Sequence, residues 1–236
     1  ANEYVSNNLS FADFHRAHVT KEKRRKAAAR LAGRRFVPQK IVVAADESYL
    51  NRGKATRLAP NARPRPDKIW LWGCCVVGRP DLFFFHVLKH PLDAYDGRPR
   101  GTRELIECFD TIPLKKDMIV VTDSWLGSIA AIRNIKLREG WGPRSLRHEL
   151  TVHSHGEIVN PRGYHTNDIE NRWSVLKRWA RKTCGGKLPA HGDRSKWKRV
   201  INEFRYRKMA ARTTTDYGNT YMVGFKDYCR HMSTLL

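Results

Sequence analysis

Four short apolar runs constrain this chain most. They lie at residues 40–45, 69–77, 82–88 and 118–122 and are dominated by Val, Ile, Leu, Phe and Trp. Runs of this length and composition read as buried strands. Gly78-Arg79-Pro80-Asp81 forms a turn between the second and third, so that pair reads as a hairpin. Helical patterns follow the third run at 102–109 and the fourth at 125–134. A short fifth strand is expected at 150–152, after a Gly/Pro/Arg-rich loop at 138–149. A further helix begins near Asn167 and runs to Cys184, where Gly185-Gly186 stops it. A last, basic helix is expected at 197–208. Three strands, helix, strand, helix, strand, helix make an α/β chain, with a mixed five-stranded sheet flanked by helices.

Ahead of the sheet, residues 1–39 read as a basic arm. Phe11, Phe14 and His18 have helical spacing, a basic Ala-rich stretch continues to Arg35, and Pro38 breaks the pattern. The run Lys21-Glu22-Lys23-Arg24-Arg25-Lys26 fits a nuclear address, a DNA-contacting arm or a solvated helix face. The sheet domain is expected over 40–208 and a tail over 209–236.

Charge bears on partners. Lys and Arg total 45 against 23 Asp and Glu, a formal +22. Such an excess favours polyanions, and the basic residues alternate with Trp, Tyr and Phe, which can stack on bases. Nucleic acid is therefore the expected partner, and a membrane is not. No apolar run approaches 18 residues, and no secretory signal is visible at the start. The five cysteines include no CxxC pair, so neither a disulfide framework nor a zinc ribbon is expected, and a reducing compartment is. The chain is expected in the nucleus if eukaryotic, in the cytoplasm or nucleoid if bacterial, and not outside the cell.

Three carboxylates fall at the ends of elements. Asp46 and Asp123 each follow an apolar strand, the edge of an α/β sheet where sites form. On neighbouring strands they would face each other, and two adjacent anions need a cation between them. Hard oxygen donors suit Mg²⁺ or Mn²⁺. Glu47 follows Asp46 directly. Only one of the two should enter the site, because strand side chains alternate, and the pattern does not choose between them. The third carboxylate is Glu170. Ile169, Trp173, Leu176 and Ala180 form one apolar stripe, and Glu170, Ser174, Lys177 and Arg181 form the adjoining one. Each carboxylate also has a structural reading: Asn167 and Glu170 fit a capping box, Asp123 fits an N-cap, and Asp46 fits a loop cap. No GxSxG, HExxH or Walker A motif is present, and His153-Ser154-His155 is weak as a metal motif.

Three segments carry a family resemblance. They are Asp46-Glu47-Ser48-Tyr49, Thr122-Asp123-Ser124-Trp125, and His165-Thr166-Asn167-Asp168-Ile169-Glu170-Asn171-Arg172-Trp173-Ser174-Val175-Leu176-Lys177. Together they resemble the Merlin superfamily of DDE transposases and its bacterial insertion-sequence relatives, over about residues 40–208. The last segment, of the form H-T-N-x-I-E-x-x-W-x-x-L-K, is the most specific. Val152-His153-Ser154, Val159-Asn160-Pro161 and Glu203-Phe204-Arg205-Tyr206-Arg207 also look like the family.

The resemblance implies a ribonuclease-H-like fold and a metal-dependent DNA cleavage and strand-transfer enzyme. Asp46, Asp123 and Glu170 would be its catalytic ligands for two Mg²⁺ or Mn²⁺ ions. Lys177 would contact DNA, and Arg178, Arg181, Arg52, Lys54, Arg57, Arg63 and Arg65 are further candidates for phosphate contact. His165, Asn167 and Trp173 lie in the motif without an assigned role. A dimer or larger assembly on transposon ends and target DNA is implied as well. Family members often carry an N-terminal zinc-binding or helix-turn-helix module, and no Cys pair precedes Asp46. Two alternatives fit the same charge: a transposase-derived, non-catalytic nucleic-acid-binding subunit, and a structure-selective nuclease.

Overall fold

The computed structural model describes residues 2–51, 68–88, 101–152 and 158–183, together with 195–197, 199–200 and 203–204. Helix α1 (Asn2–Leu31) precedes three antiparallel strands: β1 (Val42–Asn51), β2 (Lys68–Val76) and β3 (Arg79–Val87). Helix α2 (Thr102–Asp110), β4 (Ile119–Asp123), α3 (Leu126–Arg138), β5 (Arg147–Thr151) and α4 (Asn167–Thr183) follow. The sheet order is β3-β2-β1-β4-β5, with β1, β4 and β5 parallel. This is the ribonuclease-H-like mixed five-stranded sheet flanked by helices that was expected.

Period-two burial divides the sheet between two cores. Val43, Ala45, Trp72, Cys74, Phe84 and Val120 meet Leu105 and Phe109 of α2 and Ala131, Ile132 and Ile135 of α3. Ala44, Leu71, Cys75, Phe83 and Phe85 face the other way, onto Ile169, Trp173, Leu176 and Ala180 of α4 and onto Trp197 and Phe204 beyond it. The apolar stripe read from α4's sequence is thus the stripe that docks. Gly78 (φ +76°) makes the tight β2–β3 turn, where a left-handed residue is needed.

Several boundaries differ from expectation for physical reasons. Strand β1 does not end at residue 45: it runs through Asp46 and Glu47, because β2 supplies a continuous antiparallel partner from Asp46↔Gly73 to Asn51↔Lys68. Strand β5 begins at Arg147 rather than at 150, and its charged residues are tolerated because Arg147 and Glu149 form a 2.7 Å ion pair. The N-terminal arm is one helix, stopping before Gly33 (φ +62°), and its root belongs to the body. Phe11 is almost fully buried beside Phe84, a contribution of about 1.5–3 kcal/mol. Of the last expected helix, residues 195–197, 199–200 and 203–204 are helical. Its remainder, the 209–236 tail and Gly185-Gly186 lie outside the described residues.

Among the described residues, Cys74, Cys75 and Cys108 are free thiols. Burial pushes the Cys75 thiol up to about 12, which disfavours the thiolate. No helix among the described residues is long and apolar enough to cross a membrane.

Candidate functional site

Strand pairing creates the site. β1 and β4 share a parallel ladder only as far as Ala44↔Val121. Beyond it β1 continues on β2, while β4 continues on β5 to Asp123↔Thr151. The two strands therefore part, and Asp46 and Asp123 each stand two residues past the last shared pair. In-register residues of parallel strands point to the same face, so both carboxylates project on the α4 side of the gap. By register Asp46 shares the face of Asp123 and Glu47 takes the opposite one, yet Glu47 is not lost to the site. One carboxylate oxygen each from Asp46, Glu47 and Asp123 lies within 4.8 Å of the others. Glu47 is 9% exposed and reaches the gap from the opposite face at the point where the ladder opens. Sequence reasoning assumed an undisturbed pleat there and so expected only one of the two. Asp123 Oδ1 also accepts the Trp125 N–H (3.2 Å), which turns the chain into α3. The structural reading of Asp123 thus holds alongside the functional one.

Helix α4 lies across this face. Gly73, the β2 partner of Asp46, is where Trp173 seats: a Cβ on Gly73 would come 2.6 Å from the indole and 2.8 Å from the Phe84 carbonyl. The Trp173 ring also packs edge-on against Phe83 and Phe85. This contact sets the height of α4 above the carboxylates.

Lys177 is half-buried beside β1, its ammonium 5.3 Å from the centre of the Tyr49 ring. Burial lowers its pKa, opposed by the Asp46 carboxylate and assisted by Arg181. A cation thus stands beside the carboxylates, with exposed Arg178 and Arg181 along the same helix.

Glu170 lies on the Lys177 flank, exposed and outside the three-carboxylate group. Its Oε1 accepts the Thr166 hydroxyl (2.8 Å), and the Thr166 carbonyl accepts the N–H groups of Ile169 and Glu170. The local cap is therefore built on Thr166, and Asn167 is the first helical residue rather than Glu170's capping partner. His165 Nδ1 and Trp173 Nε1 are buried with no hydrogen-bond partner among the described residues.

The approach to α4 is held by a polar network that sequence reasoning missed. Asn160 Nδ2 donates to Glu149 Oε2 (3.3 Å) and to the Leu150 carbonyl (3.2 Å), while its Oδ1 accepts the N–H groups of Arg162 and Tyr164. Arg162 donates to Glu149 (2.8 Å), and Arg147 donates to the Tyr164 hydroxyl (2.6 Å). Asn160-Pro161 within the family-like segment was the available signal. Of the other expected contacts, Arg52, Lys54, Arg57, Arg63 and Arg65 lie outside the described residues, as do His153 and His155.

Three converging carboxylates supply hard oxygen donors at a spacing one small cation can bridge, and this suits Mg²⁺ or Mn²⁺. In a chain of +22 they are a local concentration of negative charge.

No protein-family model matches the chain, and no curated protein does. Among solved structures it is similar to the mariner Mos1 paired end complex with Mg, at 16% identity and a TM-score of 0.33, over 79% of this chain and 59% of that one. It is also similar to a pre-cleavage Mos1 transpososome, at 13% identity and a TM-score of 0.32, over 70% and 53% of the two chains. A third similarity is to the Mos1 strand transfer complex, at 16% identity and a TM-score of 0.29, over 70% and 52%.

Proposed function

We propose that this chain is a DDE-type DNA transposase that cleaves DNA at transposon ends and joins them to target DNA. One observation carries the reading: Asp46 and Asp123 project at the same level across the opening between β1 and β4, with Glu47 within 4.8 Å. The helix above them bears Glu170 through Lys177, the segment whose residues resemble the Merlin superfamily. In this reading Asp46, Asp123 and Glu170 hold two Mg²⁺ or Mn²⁺ ions, and Glu47 adds a further carboxylate. Bound there, the ions would acidify a water or a 3′-hydroxyl and stabilise the departing 3′-oxygen.

The chain's own residues then orient the scissile phosphate. Lys177, carried on Tyr49 beside Asp46, binds a phosphate next to the carboxylates. Arg178 and Arg181 continue the contact along α4. No protein nucleophile is required, because in-line phosphoryl transfer depends on positioning and charge stabilisation. The Trp173–Gly73 seat and the Asn160 network keep α4 in register with the strands.

The test is a strand-transfer assay with labelled candidate-end DNA and plasmid, in Mg²⁺ or Mn²⁺ and in EDTA. Metal-dependent joining that disappears in Asp123→Asn while DNA binding persists is the expected result. Tight binding without cutting or joining would favour a non-catalytic subunit. Cutting without joining would favour a structure-selective nuclease.

A further inference from the structure

The first helix is built in two unlike halves. Its root is fixed: Phe11 is in the core, Phe14 packs against that core, and His15 Nε2 lies 3.8 Å from Asp117. From residue 20 to residue 31 it is exposed nearly all round, with Glu22 and Ala29 the two part-buried residues. A helix with no buried stripe receives little from packing. Here Ala27, Ala28 and Ala29 supply helix propensity, and Arg25 pairs with Glu22 one turn away.

The chain after Gly33 runs back along one side of this helix. His18 Nε2–H donates to the Gln39 carbonyl (2.8 Å), Glu22 accepts the Gln39 N–H (2.8 Å), and Arg25 lies 6.0 Å from the centre of the Phe36 ring. His18, Glu22 and Arg25 thus mark the covered side. Lys23, Lys26 and Arg30, spaced i, i+3 and i+7, form an exposed cationic stripe on the flank next to it, along about 10 Å of axis. Residues 21–35 carry eight cations (Lys21, Lys23, Arg24, Arg25, Lys26, Arg30, Arg34 and Arg35) against one carboxylate, Glu22. Nothing in fold stability calls for such a density.

Position adds a second point. Gln39 precedes β1 and Asp117 precedes β4, so the arm springs from the edge of the sheet opposite the carboxylates. From Gln39 to Asp46 is on the order of 20 Å at strand rise.

We propose that residues 20–35 form a second binding surface for double-stranded DNA, separate from the carboxylate site and holding the phosphate backbone through the Lys23–Lys26–Arg30 stripe. Phosphates repeat about every 3.4 Å of axis along each DNA strand, so a stripe of this length faces several of them. That the polyanion is DNA rests on the proposed function, so the test is run in EDTA, where catalysis plays no part.

Binding of a 30-base-pair duplex is measured by anisotropy across salt concentrations for the wild type, for Lys23→Gln/Lys26→Gln/Arg30→Gln, and for the charge-matched Arg103→Gln/Arg133→Gln/Arg144→Gln. The arm variant should lower the slope of log K against log salt by roughly 2–3, at about 0.9 per phosphate contact, and weaken binding at least tenfold near 0.1 M salt. The control should change the slope by less than one. Equal losses in both variants, or none in the arm variant, would overturn the proposal. Lysine acetylation footprinting of the unaltered protein avoids any folding defect. Duplex should protect Lys23 and Lys26 but not Lys115 and Lys116. An unprotected arm, or protection that follows protein concentration without DNA, overturns the proposal, the latter by pointing to a second copy of the chain. If arm protection holds and the protein never cuts in metal, the catalytic reading fails and the arm surface stands.

Discussion

At the scale of single residues, the proposed chemistry depends on which carboxylates would hold a metal, and the seat of α4 depends on one glycine. Mn²⁺ should raise the thermal midpoint of the wild type, since a ligand that binds only the folded state stabilises it by mass action, and Asp46→Asn and Asp123→Asn should each abolish that rise. Both should bind duplex DNA as before. Glu47→Gln and Glu170→Gln separate the two further candidates. The proposed function requires Glu170→Gln to lose cutting. If it cuts normally while Glu47→Gln loses both cutting and the Mn²⁺ shift, the third ligand is Glu47. Gly73→Ala tests the seat of α4. The added methyl would meet the Trp173 indole at 2.6 Å and the Phe84 carbonyl at 2.8 Å, and the backbone carbonyl cannot give way. A loss of about 1–3 kcal/mol in denaturant unfolding is expected, together with reduced cutting as α4 shifts. An unchanged midpoint would mean that α4 is not held at this contact.

At the scale of elements, β5 and the chain leading to α4 are the parts where polar groups, not apolar burial, set the structure. His148 shares a 2.9 Å hydrogen bond with the Thr122 hydroxyl, one residue before Asp123, and burial pushes its pKa down to about 4 from 6.5. Because the folded value lies below the unfolded one, protonation favours the unfolded chain. Stability should therefore fall as pH drops through the window from 6.5 to 4 and level off below it, by on the order of 3 kcal/mol. His148→Gln should flatten that part of the stability profile, and an unaltered profile would place the titration elsewhere. Asn160→Ala should cost about 2–3 kcal/mol by orphaning the buried groups it pairs. It should depress cutting more than DNA binding, since it loosens the path into α4. Equal loss of both would make it a merely structural residue.

Sequence pattern served best for elements whose burial is apolar. The hairpin, β4 and the Ile169–Trp173–Leu176–Ala180 stripe were legible because period two and period 3.6 are written in their side chains. It served less well where polar residues satisfy one another across the fold. Arg147 and Glu149 disguise the start of β5, and Thr166 rather than Asn167 partners Glu170. Asp46 and Asp123 were legible as strand-end carboxylates. Their convergence with Glu47 was not, because it depends on where two strands cease to pair.

At the scale of the whole molecule, a strongly basic protein concentrates negative charge at one opening in its sheet and extends positive charge from the opposite edge. A non-catalytic DNA-binding subunit accounts for the second feature but leaves the convergence of three carboxylates unexplained. The most direct measurement is the strand-transfer reaction with wild type and Asp123→Asn, in Mg²⁺ or Mn²⁺ and in EDTA. Joining of labelled ends to plasmid by the wild type alone, and only with metal, is the predicted result. Joining that survives in Asp123→Asn or in EDTA would contradict the assignment of the β1–β4 opening as the catalytic centre.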